Sequence, residues 1–150
     1  MGINIEEQYV KIYRYCYFRV KNQHLAEDIT QETFLRFFES STYKDTGRPL
    51  AYLYTIARNL CIEEFRKAPM EELKEELAQE GFEEKFIRQQ ALKQAMAELS
   101  KEEEELLLLR YVNQVSFADL CKLYGRSRFA LHRELSKITD KLERRISDER

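Results

Sequence analysis

Arg128, His132, Arg133, Ser136 and Lys137 lie near the C-terminal end of the chain, at a spacing that gathers them on one side of a helix. Arginine can read a guanine edge bidentately, while lysine and serine can hold phosphates. A helix about 10 to 12 Å across fits the DNA major groove. A second set, Asp28, Gln31, Glu32 and Leu35, clusters on one side of an earlier helical pattern. A leucine among acids and an amide has the composition of a protein contact, an apolar anchor inside a polar rim. The third set is Tyr43, Lys44 and Arg48, followed by Tyr52, Arg58 and Asn59. Aromatics beside cations are what base stacking and phosphate neutralisation on single-stranded DNA require, and equally what closes a small core with tyrosines.

Catalytic chemistry finds no comparable grouping. Glu27, Asp28 and Glu32 resemble half of a helical carboxylate site, but neither His24 nor His132 stands where a di-metal bundle needs its histidine. No nucleophile, base and orienting group come together, so the expectation is a protein that is not an enzyme and uses no cofactor and no metal. Cys16, Cys61 and Cys121 are odd in number, far apart and set in apolar helical patterns, as buried reduced thiols are.

The elements that must position these residues are helices. Only 4 Gly and 2 Pro in 150 residues leave few breakers for many short strands, so the expected fold class is all-α. Helices are predicted over residues 5 to 20, with a stripe of Tyr9, Ile12, Tyr13, Cys16, Tyr17 and Val20, and over 25 to 39. After a polar loop, a helix over 49 to 67 starts at Pro49 and repeats Leu53, Ile56, Ala57 and Leu60, leaving Tyr52, Tyr54, Arg58 and Asn59 partly outside that stripe. A further helix is expected over 86 to 99. Ser100 and Glu103 then have capping-box spacing for a helix through Tyr111.

Residues 116 to 135, SFADLCKLYGRSRFALHREL, read as helix, turn, helix. Ser116 and Ser127 are placed as caps, Gly125 suits a turn needing positive φ, and Leu131, Leu135, Ile138 and Leu142 form the inward stripe of the last helix, expected over 128 to 146.

The net charge of −2 hides a gradient. Residues 68 to 83 hold six Glu against one Lys and read as an acidic linker, whereas residues 122 to 145 hold eight basic residues against three acidic ones. Attraction to a polyanion acts locally, so the near-neutral total does not exclude nucleic acid. The expected organisation is two small helical domains, 1 to 67 and 84 to 150, joined by the linker at 68 to 83. No run approaches the roughly 18 to 20 apolar residues of a membrane span, the N-terminus has acids where a signal peptide is basic, and Glu6 breaks a myristoylation pattern at Gly2. A cytoplasmic protein is expected.

Three blocks, AEDITQETFLRFF, RPLAYLYTIARNLCIEEFRK and LSKEEEELLLLRYVNQVSFADLCKLYGRS, together cover nearly the full length in a spacing that resembles the extracytoplasmic-function, or group four, sigma factors of bacterial RNA polymerase. The resemblance implies a region 2 domain recognising the minus-ten promoter element and a region 4 domain recognising the minus-35 element. It places Asp28, Gln31, Glu32 and Leu35 against the clamp helices of the polymerase β′ subunit. Tyr43, Lys44, Arg48, Tyr52, Arg58 and Asn59 would melt the minus-ten element and capture a flipped base, and Arg128, His132, Arg133, Ser136 and Lys137 would read the minus-35 element. Tyr52 stands where the family usually has Trp, and Glu134 where it usually has a basic residue.

The partners implied are the polymerase core, through β′ and the β flap, promoter DNA and an anti-sigma factor, with a free state that is monomeric. Two other readings remain open at this point. One is a regulator using only its helix-turn-helix on duplex DNA; the other is an interaction protein that has lost promoter reading.

Overall fold

The computed structural model describes residues 4–40, 48–67 and 93–148, with side chains to residue 145, and among these it is helical without strands. Helix α1 (Ile5–Val20) starts at Asn4, whose side chain accepts from the Glu7 amide at 3.1 Å, with Glu6 and Glu7 in the first turn and Arg19 in the last, each matched to the helix dipole. It stops at Lys21, which takes a left-handed φ of 52°. Asn22 then caps α2 (Gln23–Glu39) through the Leu25 amide at 2.9 Å, so this helix begins two residues earlier than its apolar pattern does. Helix α3 (Pro49–Lys67) begins at the proline and ends in Arg66 and Lys67, as expected.

These three helices pack together around Ile12, Cys16, Ala26, Phe37, Leu53 and Ala57, all at or near zero exposure. Thr30 and Thr33 are buried without cost in hydrogen bonding, since each hydroxyl donates to the carbonyl one turn back at 2.7 Å. Cys16 and Cys61 are free and buried; hydrogen bonding to Cys16 and burial both push the Cys61 thiol up, which makes it unreactive.

The C-terminal group opens with a helical segment at 93–97. Ser100 and Glu103 then form the expected reciprocal capping box of α4 (Lys101–Leu107). That helix runs on as a π-helical turn, Leu108–Val112, rather than as regular α-helix to Tyr111. Helix α5 (Phe117–Tyr124) is capped by Ser116 and closed by Gly125 at φ 67°, and α6 (Arg128–Asp148) starts after Ser127, whose hydroxyl accepts from the Ala130 amide. Leu120, Leu131, Leu135 and Ile138 form the core beneath the turn, with Leu142 partly buried beside them.

The capping box yields a prediction with a pH sign. The Ser100 amide holds the Glu103 carboxylate below its ordinary value of 4.5, helped by Lys141. Its contribution is therefore present above the unfolded value and lost as pH falls through the lower folded one. Ser100→Ala is expected to cost about 1 kcal/mol. Denaturant melts of Glu103→Gln should fall below wild type at pH 7, and the difference should vanish as pH falls through the lowered folded value.

Two expectations are corrected. The buried line of α1 is Gln8, Ile12, Tyr15, Cys16 and Val20, while Tyr17, assigned to the stripe, is 45% exposed. Tyr54, expected partly outside the stripe, is 1% exposed. The cause is common to both: α1 and α3 pack against a second partner, the C-terminal helices. Tyr15 and Tyr54 meet edge to face at 5.9 Å, and Tyr54 accepts a hydrogen bond from Asn113 at 2.8 Å. The linker expected at 68 to 83, the loop residues 41–47 and the stretch 86–92 of a predicted helix lie outside the described residues.

Candidate nucleic-acid interface

Helix α2 divides as its sequence predicts. Ala26, Ile29, Thr30, Thr33, Phe34 and Phe37 face inward, which turns Asp28, Gln31, Glu32 and Leu35 outward together. Leu35 is 56% exposed, and Phe38, 59% exposed one turn on, extends its apolar surface. Glu32 pairs with Arg36 at 2.9 Å along the helix. Among the described residues this face is left open to solvent.

The α3 set is brought only partly together. Tyr52 and Asn59 are two turns apart on one side of the helix, whereas Arg58 points about 120° away at 100° per residue. The Tyr52 hydroxyl donates to Ser40 at 2.8 Å and its ring lies 5.9 Å from Phe37, so it borders the core; Asn59 is exposed. Arg58 turns to Glu105 of α4, its Nε donating to both carboxylate oxygens at 3.1 and 3.0 Å. Burial lowers the Arg58 pKa, but the Glu105 charge and hydrogen bond outweigh it, and the net shift is upward. Arg48 reaches Asp119 of α5 at 3.1 Å. Tyr43 and Lys44 lie outside the described residues.

On α6, Arg128, His132, Arg133, Ser136 and Lys137 are all exposed and share the outer side, opposite Leu131, Leu135 and Ile138. Glu134 is not loose among them. It lies on the flank, where Arg126 holds it at 2.6 Å while also bonding Glu102 at 2.8 Å. The acid thus meets the face already paired, though it shares its one guanidinium with Glu102.

A model of the sigma-70 region 2 family matches residues 5–69. Over 150 aligned residues the chain is 29% identical to the ECF RNA polymerase sigma factor BldN of Streptomyces coelicolor, covering 92% of this chain and 57% of that one. Against the ECF RNA polymerase sigma factor SigW of Bacillus subtilis it is 45% identical over 58 residues, covering 38% of this chain and 31% of that relative. This chain carries a sigma-70 region 2 match and is similar to extracytoplasmic-function sigma factors. It spans little more than half the length of BldN and about a third of SigW. The solved structure of the sigma factor RpoE from Bartonella quintana, in complex with the anti-sigma factor NepR, shares the fold at a TM-score of 0.68, with 21% identity over 95% of this chain and 93% of that one.

Beside these faces, two residues stand out that the sequence pattern marks only as packing or does not single out. Phe117, on the inner stripe of α5, sits under the cationic face of α6. His132 stacks on its ring at 4.1 Å, and the guanidinium groups of Arg110 and Arg128 lie 4.4 and 5.5 Å from its centre. The other is Glu105, one of a run of four glutamates, fully buried at the junction of α1, α3, α4 and α5. A run of acids usually signals a solvated helix face, and only the buried partners distinguish this one. Among the described residues no group of three His, Cys, Asp or Glu side chains could hold a metal ion, and no helix is long and apolar enough to cross a membrane.

Proposed function

We propose that this chain binds the core of bacterial RNA polymerase and directs it to promoters, as an initiation factor rather than an enzyme. The observation that carries the reading is the pairing of two unlike outward faces on one helical chain. The face of Asp28, Gln31, Glu32 and Leu35 lies within the region 2 match, and the cationic face of α6 stands on a capped helix-turn-helix.

In this reading residues 1 to 67 form the domain that meets the polymerase β′ clamp helices and the minus-ten element, residues 68 to 83 the linker, and residues 84 to 150 the domain that meets the β flap and the minus-35 element. Tyr43, Lys44, Arg48, Tyr52, Arg58 and Asn59 serve strand capture by stacking and phosphate contacts. Arg128 and Lys137 lead the minus-35 contacts, one suited to a guanine edge and the other to phosphate. The protein acts in the cytoplasm, and an anti-sigma factor holds it when it is not needed. The fold relative RpoE, solved in complex with the anti-sigma factor NepR, supports a partner of that kind. The interaction-only alternative rested on Glu134, and the ion pair of that residue with Arg126 supports the promoter-reading side against it.

Run-off transcription with bacterial core polymerase, with and without the protein, on a pool of sequenced promoter fragments tests this. New discrete start sites are expected. Their absence despite core binding would leave an interaction protein.

A further inference from the structure

Glu105 draws donors from three helices besides its own. The Tyr15 hydroxyl of α1 donates to it, Arg19 Nη1 of α1 lies 3.2 Å from Oε2, Arg58 Nε of α3 lies 3.0 Å from the same oxygen, and the Tyr124 hydroxyl of α5 donates to Oε1 at 2.6 Å. The carboxylate itself is wholly buried, and the Arg19 side chain is only 10% exposed. Burial and the Glu105 charge push both tyrosine hydroxyls well up, which keeps them protonated as donors. Such an array holds a charge in the interior only because every acceptor position is filled.

Two further ties run between the same groups of helices. Asn113 donates to the Lys11 carbonyl at 2.9 Å and to Tyr54 at 2.8 Å while accepting from Arg14 at 3.2 Å. Asp119 takes Arg48 at 3.1 Å.

The choice of partners has a consequence. Both described arginines of the minus-ten set, Arg48 and Arg58, are bound to carboxylates of the C-terminal group, in place of phosphates. The outward faces of α2 and α6 are left uncovered by the same arrangement among the described residues.

We infer that Glu105 latches the C-terminal group onto the Arg58 side of α3, so that single-stranded DNA and the chain's own carboxylate compete for Arg58, while the polymerase-facing side of α2 stays accessible. The latch rests on the minus-ten reading of α3 proposed above. It dictates an order: the closed chain meets polymerase first through α2, and the arginines reach DNA only after the two groups separate. It also keeps the free protein off single-stranded nucleic acid, because only the open fraction presents those cations.

The test uses the full chain and its Glu105→Gln variant, which keeps the shape and removes the charge. Small-angle scattering reads the radius of gyration, circular dichroism the helix content, and fluorescence anisotropy the binding of a random-sequence single-stranded DNA oligonucleotide. Expected are unchanged helicity, a larger radius, and about tenfold tighter oligonucleotide binding for the variant, the gain being set by the closed fraction relieved. Should Glu105→Gln lose helicity, Tyr15→Phe keeps the packed ring and removes one donor, and a smaller change in the same direction is expected.

An unchanged radius in a folded variant overturns the latch. A larger radius with no gain in oligonucleotide binding overturns the competition. Run-off transcription separates these from the functional reading: start sites from the wild-type chain alongside either negative leave promoter recognition standing and remove the latch alone. A gain in oligonucleotide affinity without any start site upholds the latch and removes the sigma-factor activity.

Discussion

Asp28→Lys combined with Glu32→Lys abolishes binding to RNA polymerase core, with affinity falling at least about a hundredfold, while both helical groups stay folded. The two side chains are exposed on α2 and share its outward face with Gln31 and Leu35. Reversal changes the local charge by four units, converting attraction at a complementary surface into like-charge repulsion; loss of a desolvated charged contact alone costs about 2 to 5 kcal/mol, and about 2.7 kcal/mol corresponds to a hundredfold. The cost to the helix is small. The Glu32–Arg36 pair is a solvent-exposed pair one turn apart, a class worth a few tenths of a kcal/mol, and Ala26, Thr30, Thr33 and Phe37 continue to seat α2. Pull-down or biolayer interferometry against core polymerase, with circular dichroism as the folding control, measures it. Undiminished core binding by the folded variant removes the β′ assignment. Leu35→Ala belongs in the same series: a weaker but clear loss there marks the leucine as the apolar anchor of the contact rather than a singly exposed side chain.

What the sequence made legible was whatever depends on local chemistry. Caps at Ser100, Ser116 and Ser127, the proline start of α3, the turn at Gly125 and the stripe of Leu131, Leu135 and Ile138 each rest on residues within a few positions of one another, and the structure has them as expected. The outward face of α2 follows in the same way, because the wheel needs only one helix.

The misses share the opposite property. Tyr15 and Tyr54 are buried by groups about 90 and 59 residues further along, and Glu105 is indistinguishable from Glu102, Glu103 and Glu104 until α1, α3 and α5 close on it. Periodicity assigns one buried side to a helix, and α1 and α3 each use two. The π-helical turn at Leu108–Val112 has no local signal either; it precedes Asn113, whose side-chain amide donates to the Lys11 carbonyl and to Tyr54 across the junction.

Phe117 shows how a residue read as core can set the chemistry of a surface. Its ring carries His132 by stacking and lies under Arg110 and Arg128, so three groups on or near the cationic side of α6 take their positions from one apolar side chain. Arg110 is fixed further by donating to the Val115 carbonyl at 2.9 Å, which leaves Arg128 and His132 as the exposed pair that the ring preorganises. A cation over a ring is worth about 0.5 to 1 kcal/mol at an exposed site, and an aromatic pair about 0.5 to 1.5 kcal/mol. The ring is therefore a positioning residue whose loss weakens minus-35 binding by about tenfold. Phe117→Leu isolates the effect, because it retains the apolar body under the turn and removes the π face. The expected result is a folded protein whose affinity for duplex minus-35 DNA drops about tenfold, with the preference between specific and scrambled duplex narrowing, since contacts aimed at base edges depend on direction more than contacts to phosphate do. Phe117→Ala adds a loss of about 1.5 kcal/mol in stability from the exposed apolar surface. Electrophoretic mobility shifts on specific and scrambled duplexes, read beside thermal melts, separate the two variants. A Phe117→Leu protein with full affinity and full discrimination would assign the ring to packing alone and return the orientation of Arg128 to its own helix.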